Sequence, residues 1–529
     1  MAETKREIER KYESDESGLP DLTGVAGVAA VVDKGVAELD ATYYDTADER
    51  LAKDAITLRR RTGGSDAGWH LKFPVAPDVR DEIQAPLSDT LPREIAALVR
   101  SRVRDSELLP VVRLRSARDV RELTDGDGRL IAEVSVDAVR AERLTGDGGD
   151  AQWTEIEVEL ADGVDPAVLD KVEKRLRKAG VRPSASPSKL ARALAETAPG
   201  KRTKKPAKGK KAEKPEKTGK SAKAEEKASG SDGVAAPAPP VTAGDHVLAY
   251  LREQRDAIVG LDPAVRRDTY DSVHRMRVAT RRMRSAFRSY GKLLDRGVTD
   301  PIGEELKWLA GELGVDRDQE VLTERLTDAL GALPRTLLVG PVRTRLRTWS
   351  HARRGGSRRR LIAVLDGRRY LALLGTLDAL LAGPPLLKPA AGDPGKVISR
   401  AVRKDFDKLA ALVEQALELP PGHERDTALH DARKKAKRAR YAAEAAVPAL
   451  GDPASSLVKS MKSVQSLLGD HQDSVMTREA LRELSRQAHP AGESTFTYGV
   501  LYGREERRAA DVERELPDLW KPIREGVPL

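Results

Sequence analysis

Cysteine is absent from the 529 residues, which excludes disulfides and thiolate metal sites and leaves any metal to oxygen or imidazole ligands. Aromatic residues make up only 4%, so the cores must be built largely from Leu, Val and Ala, a composition that suits packed helices. Of the 8 histidines only His70 precedes residue 240, which argues against a histidine-ligated zinc in the front half. No apolar run reaches the ~20 residues of a membrane helix. The leucine-rich stretch from Tyr370 to Leu387 is broken by Gly375, Asp378, Pro384 and Pro385. The chain opens on charged residues rather than a secretory apolar segment. A soluble, cytoplasmic protein without membrane contact is expected, with roughly two to four domains for this length.

Charge is present in quantity and is unevenly placed. Residues 1–200 hold 31 basic and 39 acidic side chains, residues 201–240 hold 12 and 5, and the remaining 289 residues hold 50 and 40. An acidic front half is therefore joined through a lysine-rich segment to a basic back half, within a total of +9. Two oppositely charged halves suggest different tasks on a common anionic partner.

The front half repeats one motif, charge alternating with apolar residues at the period of a strand. Glu7-Ile8-Glu9-Arg10-Lys11 sends Glu7, Glu9 and Lys11 to one side. Two acids ~7 Å apart on one strand repel each other unless a cation neutralises them. Leu58-Arg59-Arg60-Arg61, His70-Leu71-Lys72-Phe73, Arg80-Asp81-Glu82-Ile83, Val112-Arg113-Leu114-Arg115, Ala132-Glu133-Val134-Ser135-Val136-Asp137 and Glu155-Ile156-Glu157-Val158-Glu159 alternate in the same way. A single such strand reads as core on one side and water on the other. Six or more, with acids on the terminal strands and bases between them, read as a closed antiparallel barrel with a polar lumen, for which about eight strands leave room for a small ligand. Helical stretches at Leu22 to Val32, Pro92 to Val103 and Pro166 to Ala179 are placed to cover its apolar exterior. Arginine forks and lysines suit a phosphate chain, and carboxylates suit a hard divalent cation, Mg²⁺ or Mn²⁺.

These residues resemble the CYTH domain, the family of triphosphate tunnel metalloenzymes, over roughly residues 3–197. The ordered set that carries the resemblance is Glu7-x-Glu9-x-Lys11, Tyr43-Tyr44-Asp45-Thr46, Arg59-x-Arg61, Lys72, Arg80-x-Glu82, Arg113 to Arg115, Glu133, Glu155-x-Glu157-x-Glu159 and Lys189. Gln84 stands where many relatives carry another acid. The resemblance implies an eight-stranded tunnel in which Glu7, Glu9, Glu133, Glu155, Glu157 and Glu159 hold metal. It further implies that Lys11, Arg59, Arg61, Lys72, Arg80, Arg113, Arg115 and Lys189 hold a triphosphate, and that Glu7, Glu9, Lys11, Glu157 and Glu159 carry the chemistry. Metal-dependent hydrolysis of inorganic tripolyphosphate is the leading expectation. A nucleoside triphosphatase, an adenylate cyclase or a non-catalytic polyphosphate scaffold are the alternatives.

Residues 200–240 are rich in Lys, Ala, Gly, Pro and Ser without an apolar period, and read as a disordered linker between domains at 1–199 and 241–529. The back half is Ala, Leu, Arg and Glu at helical spacing. His274, Arg277, Arg281, Arg284 and Arg288 recur at steps of 3 and 4, one stripe along a helix. His430, Arg433, Lys437, Arg438 and Arg440 lie 156 positions after His274, Arg277, Arg281, Arg282 and Arg284. Leu313-Gly314 with Asp318 returns as Leu468-Gly469 with Asp473, and Lys307 as Lys462, at a spacing of 155. This is an internal duplication, with halves at about 241–390 and 391–529. Like charges stacked at i, i+4 cost a few tenths of a kcal/mol per pair, so a stripe kept twice calls for a polyanionic partner. Arg353, Arg354 and Arg358 to Arg360 have no counterpart in the repeat and read as a solvated loop.

The repeated stripes resemble the CHAD domain, named for its histidines in an α-helical fold, over about residues 241–520. That resemblance implies an all-α duplicated bundle that binds inorganic polyphosphate, with His274, Arg277, Arg281, Arg282, Arg284, His430, Arg433, Lys437, Arg438 and Arg440 lining a basic cleft. Lys307 and Lys462 are supporting candidates, and polyphosphate granules are an implied location. Only Tyr270, Tyr290 and Tyr441 stand near the stripes, fewer aromatics than single-stranded nucleic acid needs for stacking.

Overall fold

Short-period alternation in the front of the chain and 3.6-residue periodicity in the back produce a strand-rich and a helical unit. The computed structural model describes residues 3–14, 18–198, 239–354 and 357–526, and within these all side chains except those of 315–320, 353–354 and 357. The segment 200–240, read above as a linker, lies outside the described residues apart from its last two.

In the first unit eight strands form an antiparallel ring: β1 (Glu3–Glu13), β2 (Ala30–Asp45), β3 (Thr57–Thr62), β4 (Gly68–Ala76), β5 (Val79–Pro86), β6 (Leu109–Thr124), β7 (Leu130–Arg143) and β8 (Asp150–Leu160). The order is β5-β4-β3-β2-β6-β7-β8-β1, and a β1–β5 pairing closes the circle. A two-residue strand, β9 (Arg182–Pro183), adds to the far side of β1. Outward-facing apolar residues are covered by two helices. Leu58, Leu71 and Ile83 pack under Ile95 and Leu98 of the helix Arg93–Val103, and Val134, Ile156 and Val158 pack under Leu169, Val172 and Leu176 of the helix Ala167–Lys178. Residues 22–32, expected as a third helix, instead form turns leading into β2. Gly24, Ala26 and Gly27 all take positive φ, which a right-handed helix cannot include. The interior of the ring is apolar at one end only, where Leu190 and Ala193 of the helix Lys189–Glu196 pack against Tyr43, Leu114, Val139 and Trp153.

With the four-residue Arg50–Lys53 taken as α1 and the three helices just named as α2, α3 and α4, the second unit runs from α5 to α15. Its first copy comprises α5 (Ala243–Arg266), α6 (Ser272–Ser289), α7 (Arg296–Glu312), α8 (Val315–Gly331), α9 (Val342–Arg354), α10 (Ser357–Asp366) and α11 (Arg368–Ala382). Its second comprises α12 (Pro394–Glu418), α13 (His423–Leu450), α14 (Asp452–Ala488) and α15 (Phe496–Glu525). Where the first copy breaks between α7 and α8 at Leu313-Gly314, the second runs through Leu468-Gly469 as the single helix α14. Helices α6 and α13 bury Ala279, Met283 and Ala286 and Ala432, Ala436, Ala439 and Ala443 in one core, and the alanines among them let the two stripe-bearing helices approach closely. Leu326, Trp349, Leu481 and Leu501 anchor a second core among α8, α9, α14 and α15. Arg358 and Arg360 sit on α10 rather than in a loop. Arg358 donates to the carbonyls of Val265 and Arg266 at the end of α5, a favourable cation at a helix C-terminus, and Arg360 pairs with Glu312 at 2.8 Å. The side chains of Arg353 and Arg354 lie outside the described residues.

Candidate functional site

Strand register aligns the inward acids of the ring in a row. Glu122 faces Glu133, Glu133 faces Glu159, and Glu159 faces Glu9, across β6, β7, β8 and β1. Like charges directly opposite each other destabilise a sheet, so this row needs a cation that the sheet itself does not provide in full. The strands on the other side carry the inward bases Arg59 and Arg61 (β3), Lys72 (β4) and Arg80 (β5), with Glu82 among them. All these side chains, with Lys5, Glu7, Lys11, Arg118, Glu157 and Lys189, line one cavity of about 690 Å³. A second cavity of about 680 Å³ beside β1 shares Glu9, Lys11 and Arg80 with it.

The helical unit brings cations together from both copies. Lys437 of α13 is held down to about 7 by burial first and then by Arg433, Arg281 and Arg277, with Asp473 as the opposing acid. The guanidinium of Arg277 lies against Gly314, and that of Arg433 lies beside Gly469.

A model of the CYTH domain matches residues 5–194 and one of the CHAD domain matches residues 249–482. An uncharacterized protein of Mycobacterium tuberculosis, in strains CDC 1551 and H37Rv, is 38% identical over 540 residues, covering 98% of this chain and 97% of that one. The chain belongs to the proteins that join a CYTH domain to a CHAD domain. Among solved structures it is similar to PptA from Streptomyces chartreusis (21% identity, TM-score 0.45, 53% of this chain and 99% of that one). It is also similar to the CHAD domain of the plant Ricinus communis (24% identity, TM-score 0.43, 53% and 92%).

Within the CYTH cavity the charges are extensively cross-paired. Lys72 reaches Glu7 at 2.5 Å and Glu82 at 3.5 Å, Lys5 reaches Glu159 at 2.5 Å, and Lys11 pairs with Glu157 and, at 3.1 Å, with Glu9. Arg80 donates to the Pro187 carbonyl at 2.8 Å, and His70 Nδ1 lies 2.9 Å from Glu82 Oε1. Burial, aided by Glu82 and Glu159 and opposed by Lys72, pushes the Glu7 carboxyl up to about 7. For Glu9 burial acts in the same direction but Lys11 and Lys72 outweigh it, leaving that carboxyl at about 2. Burial beside Arg59 draws the Arg61 guanidinium down to about 9.

Three of the expected residues are not brought to this cavity. Arg113 and Arg115 point outward from β6 and pair with Asp40 at 2.5 and 3.6 Å. On that strand the inward residues are Ser116, Arg118, Val120 and Glu122, so the face assigned to Arg113 and Arg115 is corrected. Arg118, missed in the sequence, bridges Asp137 and Glu157 at 2.7 Å each. Glu155 lies deeper, accepting from Trp153 Nε1 at 2.6 Å and meeting Lys189 at 2.7 Å. Lys189, the first residue of α4, also reaches Asp137 at 2.9 Å and Glu157 at 2.6 Å. Asp137, Glu155 and Glu157 are close enough together to share a cation, and here the ammonium of Lys189 takes that place. Asp45 of the Tyr43-Tyr44-Asp45-Thr46 motif caps α1 through the amides of Leu51 and Ala52.

In the CHAD unit Arg277, Arg281, Arg433 and Lys437 converge; Arg282 and Arg438 are in ion pairs between helices, and Arg440 is paired within α13. Arg282 and Arg440 meet Glu444 at 2.9 and 3.2 Å, and Arg438 meets the buried Asp405 at 2.8 Å. Burial and the neighbouring Arg288 hold the Arg284 guanidinium below its usual range. His274 is exposed, and half-buried His430 is held below the usual imidazole value by burial and Lys434, against a hydrogen bond with Gln472. Lys307 is tied to Glu304 at 3.0 Å and Lys462 is exposed. Asp426, His471 and Glu513 form a second group able to share a cation, its carboxylates already engaged by Arg478 and Arg425. Among the described residues no helix is long and apolar enough to cross a membrane.

Proposed function

We propose that the CYTH ring hydrolyses a linear triphosphate, inorganic tripolyphosphate above all, and that the CHAD unit binds inorganic polyphosphate. The observation that carries the first part is the row Glu122, Glu133, Glu159 and Glu9 facing Arg59, Arg61, Lys72 and Arg80 across one cavity. The donor set on the acid side is oxygen only, which fits Mg²⁺ or Mn²⁺, with Glu7, Glu9, Glu133 and Glu159 as the residues that would hold it. Such a cation, when bound, supplies charge neutralisation for phosphate oxygens and a more acidic water. Arg59 and Arg61 fork onto the phosphates and Lys72 and Arg80 add point and fork charges, fixing the chain in line with the attacking water. Most of the work in phosphoryl transfer is this positioning and neutralisation. The lysines now paired with acids exchange those partners for phosphate oxygens when the substrate enters.

What supports polyphosphate for the CHAD unit is the convergence of Arg277, Arg281, Arg433 and Lys437 from the two copies, with few aromatics on which bases could stack. Phosphate release with Mg²⁺ or Mn²⁺ on tripolyphosphate, ATP and long polyphosphate tests the ring. The double substitution Glu7→Gln, Glu9→Gln is expected to abolish release, and an unchanged rate would refute the acid row as the metal site.

A further inference from the structure

We infer that Gly314 is a positioning residue: its missing side chain leaves the space in which the Arg277 guanidinium is held, and any larger residue there misplaces a polyphosphate contact. The inference rests on the reading of the CHAD cleft as a polyphosphate site and names what sets its geometry. A Cβ at Gly314 would stand 2.8 Å from Cζ and Nη2 of Arg277 and 2.9 Å from Nε. Carbon contacts settle at about 3.5–4.0 Å, so the guanidinium would have to move by roughly 0.7–1.2 Å. A fork that must match phosphate oxygens tolerates about 0.5 Å.

Glycine is not required at 314 for its backbone freedom. Its φ of −95° and ψ of −15° are open to any residue, and Leu313 before it is likewise right-handed. The three atoms nearest a Cβ at this position are all at the far end of the flexible Arg277 side chain, none of them backbone or core. The fold can therefore accept the substitution while the arginine cannot keep its place. The second copy supplies an internal control. Gly469, the counterpart, lies inside the continuous helix α14, and a Cβ there would meet the Arg433 guanidinium at 3.7 Å, an ordinary contact. The same substitution thus displaces an arginine in one copy and spares it in the other.

The test measures binding of a long-chain polyphosphate of defined length to the full-length protein, by calorimetry, together with the melting temperature of each variant. Arg277→Ala is expected to weaken binding by about tenfold or more, as loss of a charge-assisted contact does. Gly314→Ala should weaken it by about three- to tenfold with an unaltered melting temperature, and Gly469→Ala by less than about twofold. The double variant Gly314→Ala, Arg277→Ala should bind no more weakly than Arg277→Ala alone, because the glycine acts through the arginine. In an Arg277→Lys background, which has no planar group over residue 314, Gly314→Ala should have no effect. Wild-type affinity in Gly314→Ala beside a weakened Arg277→Ala overturns the positioning role, as do additive losses or a clear fall in melting temperature. Wild-type affinity in Arg277→Ala overturns instead the cleft reading on which the inference stands.

Discussion

Replacing Lys189 by Met removes the ammonium that meets Asp137, Glu155 and Glu157 at 2.9, 2.7 and 2.6 Å in the buried floor of the CYTH lumen. Arg118 still pairs with Asp137 and Glu157, and Lys11 with Glu157, so the cost is that of breaking one buried pair rather than of leaving three bare charges. About 3–5 kcal/mol is the scale of such a loss. For a unit of this size each kcal/mol moves the melting temperature by roughly 2–4 °C, which gives a fall of roughly 6–20 °C. The pH dependence adds a sign. Burial opposes ionisation of Asp137 and Glu157, but Lys189 and Arg118, with Lys11 at Glu157, hold both carboxyls below their usual range. Their contribution is therefore present above the unfolded carboxylate pKa and is lost as pH falls through the lower folded values. Without Lys189 the folded values rise, so the variant should lose most against wild type near neutral pH and least in acid. Scanning calorimetry of the full chain at pH 8 and at about pH 3, with hydrogen exchange on β7 and β8 to locate the change, measures this. A variant that melts with wild type at neutral pH would refute the account of Lys189 as the counterion of the floor.

Glu159→Gln, which neutralises the acid facing both Glu9 and Glu133, should weaken Mn²⁺ binding by tenfold or more, about the loss of one ligand-shell contact, read by titration calorimetry. Arg59→Ala should lower kcat/KM for tripolyphosphate by about 10–150-fold, one charged hydrogen bond or fork, whereas Arg113→Ala with Arg115→Ala should leave it unchanged because both point outward. Polyphosphate binding to the CHAD unit should be flat below pH 7 and weaken above it by up to about tenfold per pH unit, the one-proton limit, as Lys437 loses its charge at about 7. Lys437→Met should abolish that slope, and persistence of the slope would assign it elsewhere.

The alternating strands were legible wherever the outward face is apolar. Ile156 and Val158 pack beneath α3 while Glu157 and Glu159 face the lumen, and that contrast is the period of two read from the sequence. On β6 the contrast fails. From Arg118 to Glu122 both the lumen and the solvent side are charged, with Val120 the single inward apolar residue, so nothing marks Arg118 and Glu122 as inward. Arg113 and Arg115 alternate with the inward Leu114 in a pattern that is genuine but inverted, because the ring interior is apolar at the end filled by α4. In the CHAD unit the duplication located the stripes, but composition alone could not show that Arg282 and Arg438 cross to Glu444 and Asp405 on other helices. The span 22–32 misled because its apolar residues belong partly to turns around Gly24 and Gly27 and partly to the start of β2.

Helix α4 follows every strand of the ring in the chain, yet its first residue and its apolar face complete the inside of that ring. Domains emerge from the ribosome N-terminal part first, so all eight strands are delivered before the segment that balances their deepest carboxylates. A nascent ring lacking residues 189–196 would hold surplus negative charge and an unfilled apolar end. Truncations that stop at the last strand should therefore yield an insoluble or acid-dependent product, and a piece of this half that folds alone should have to reach to about Thr197.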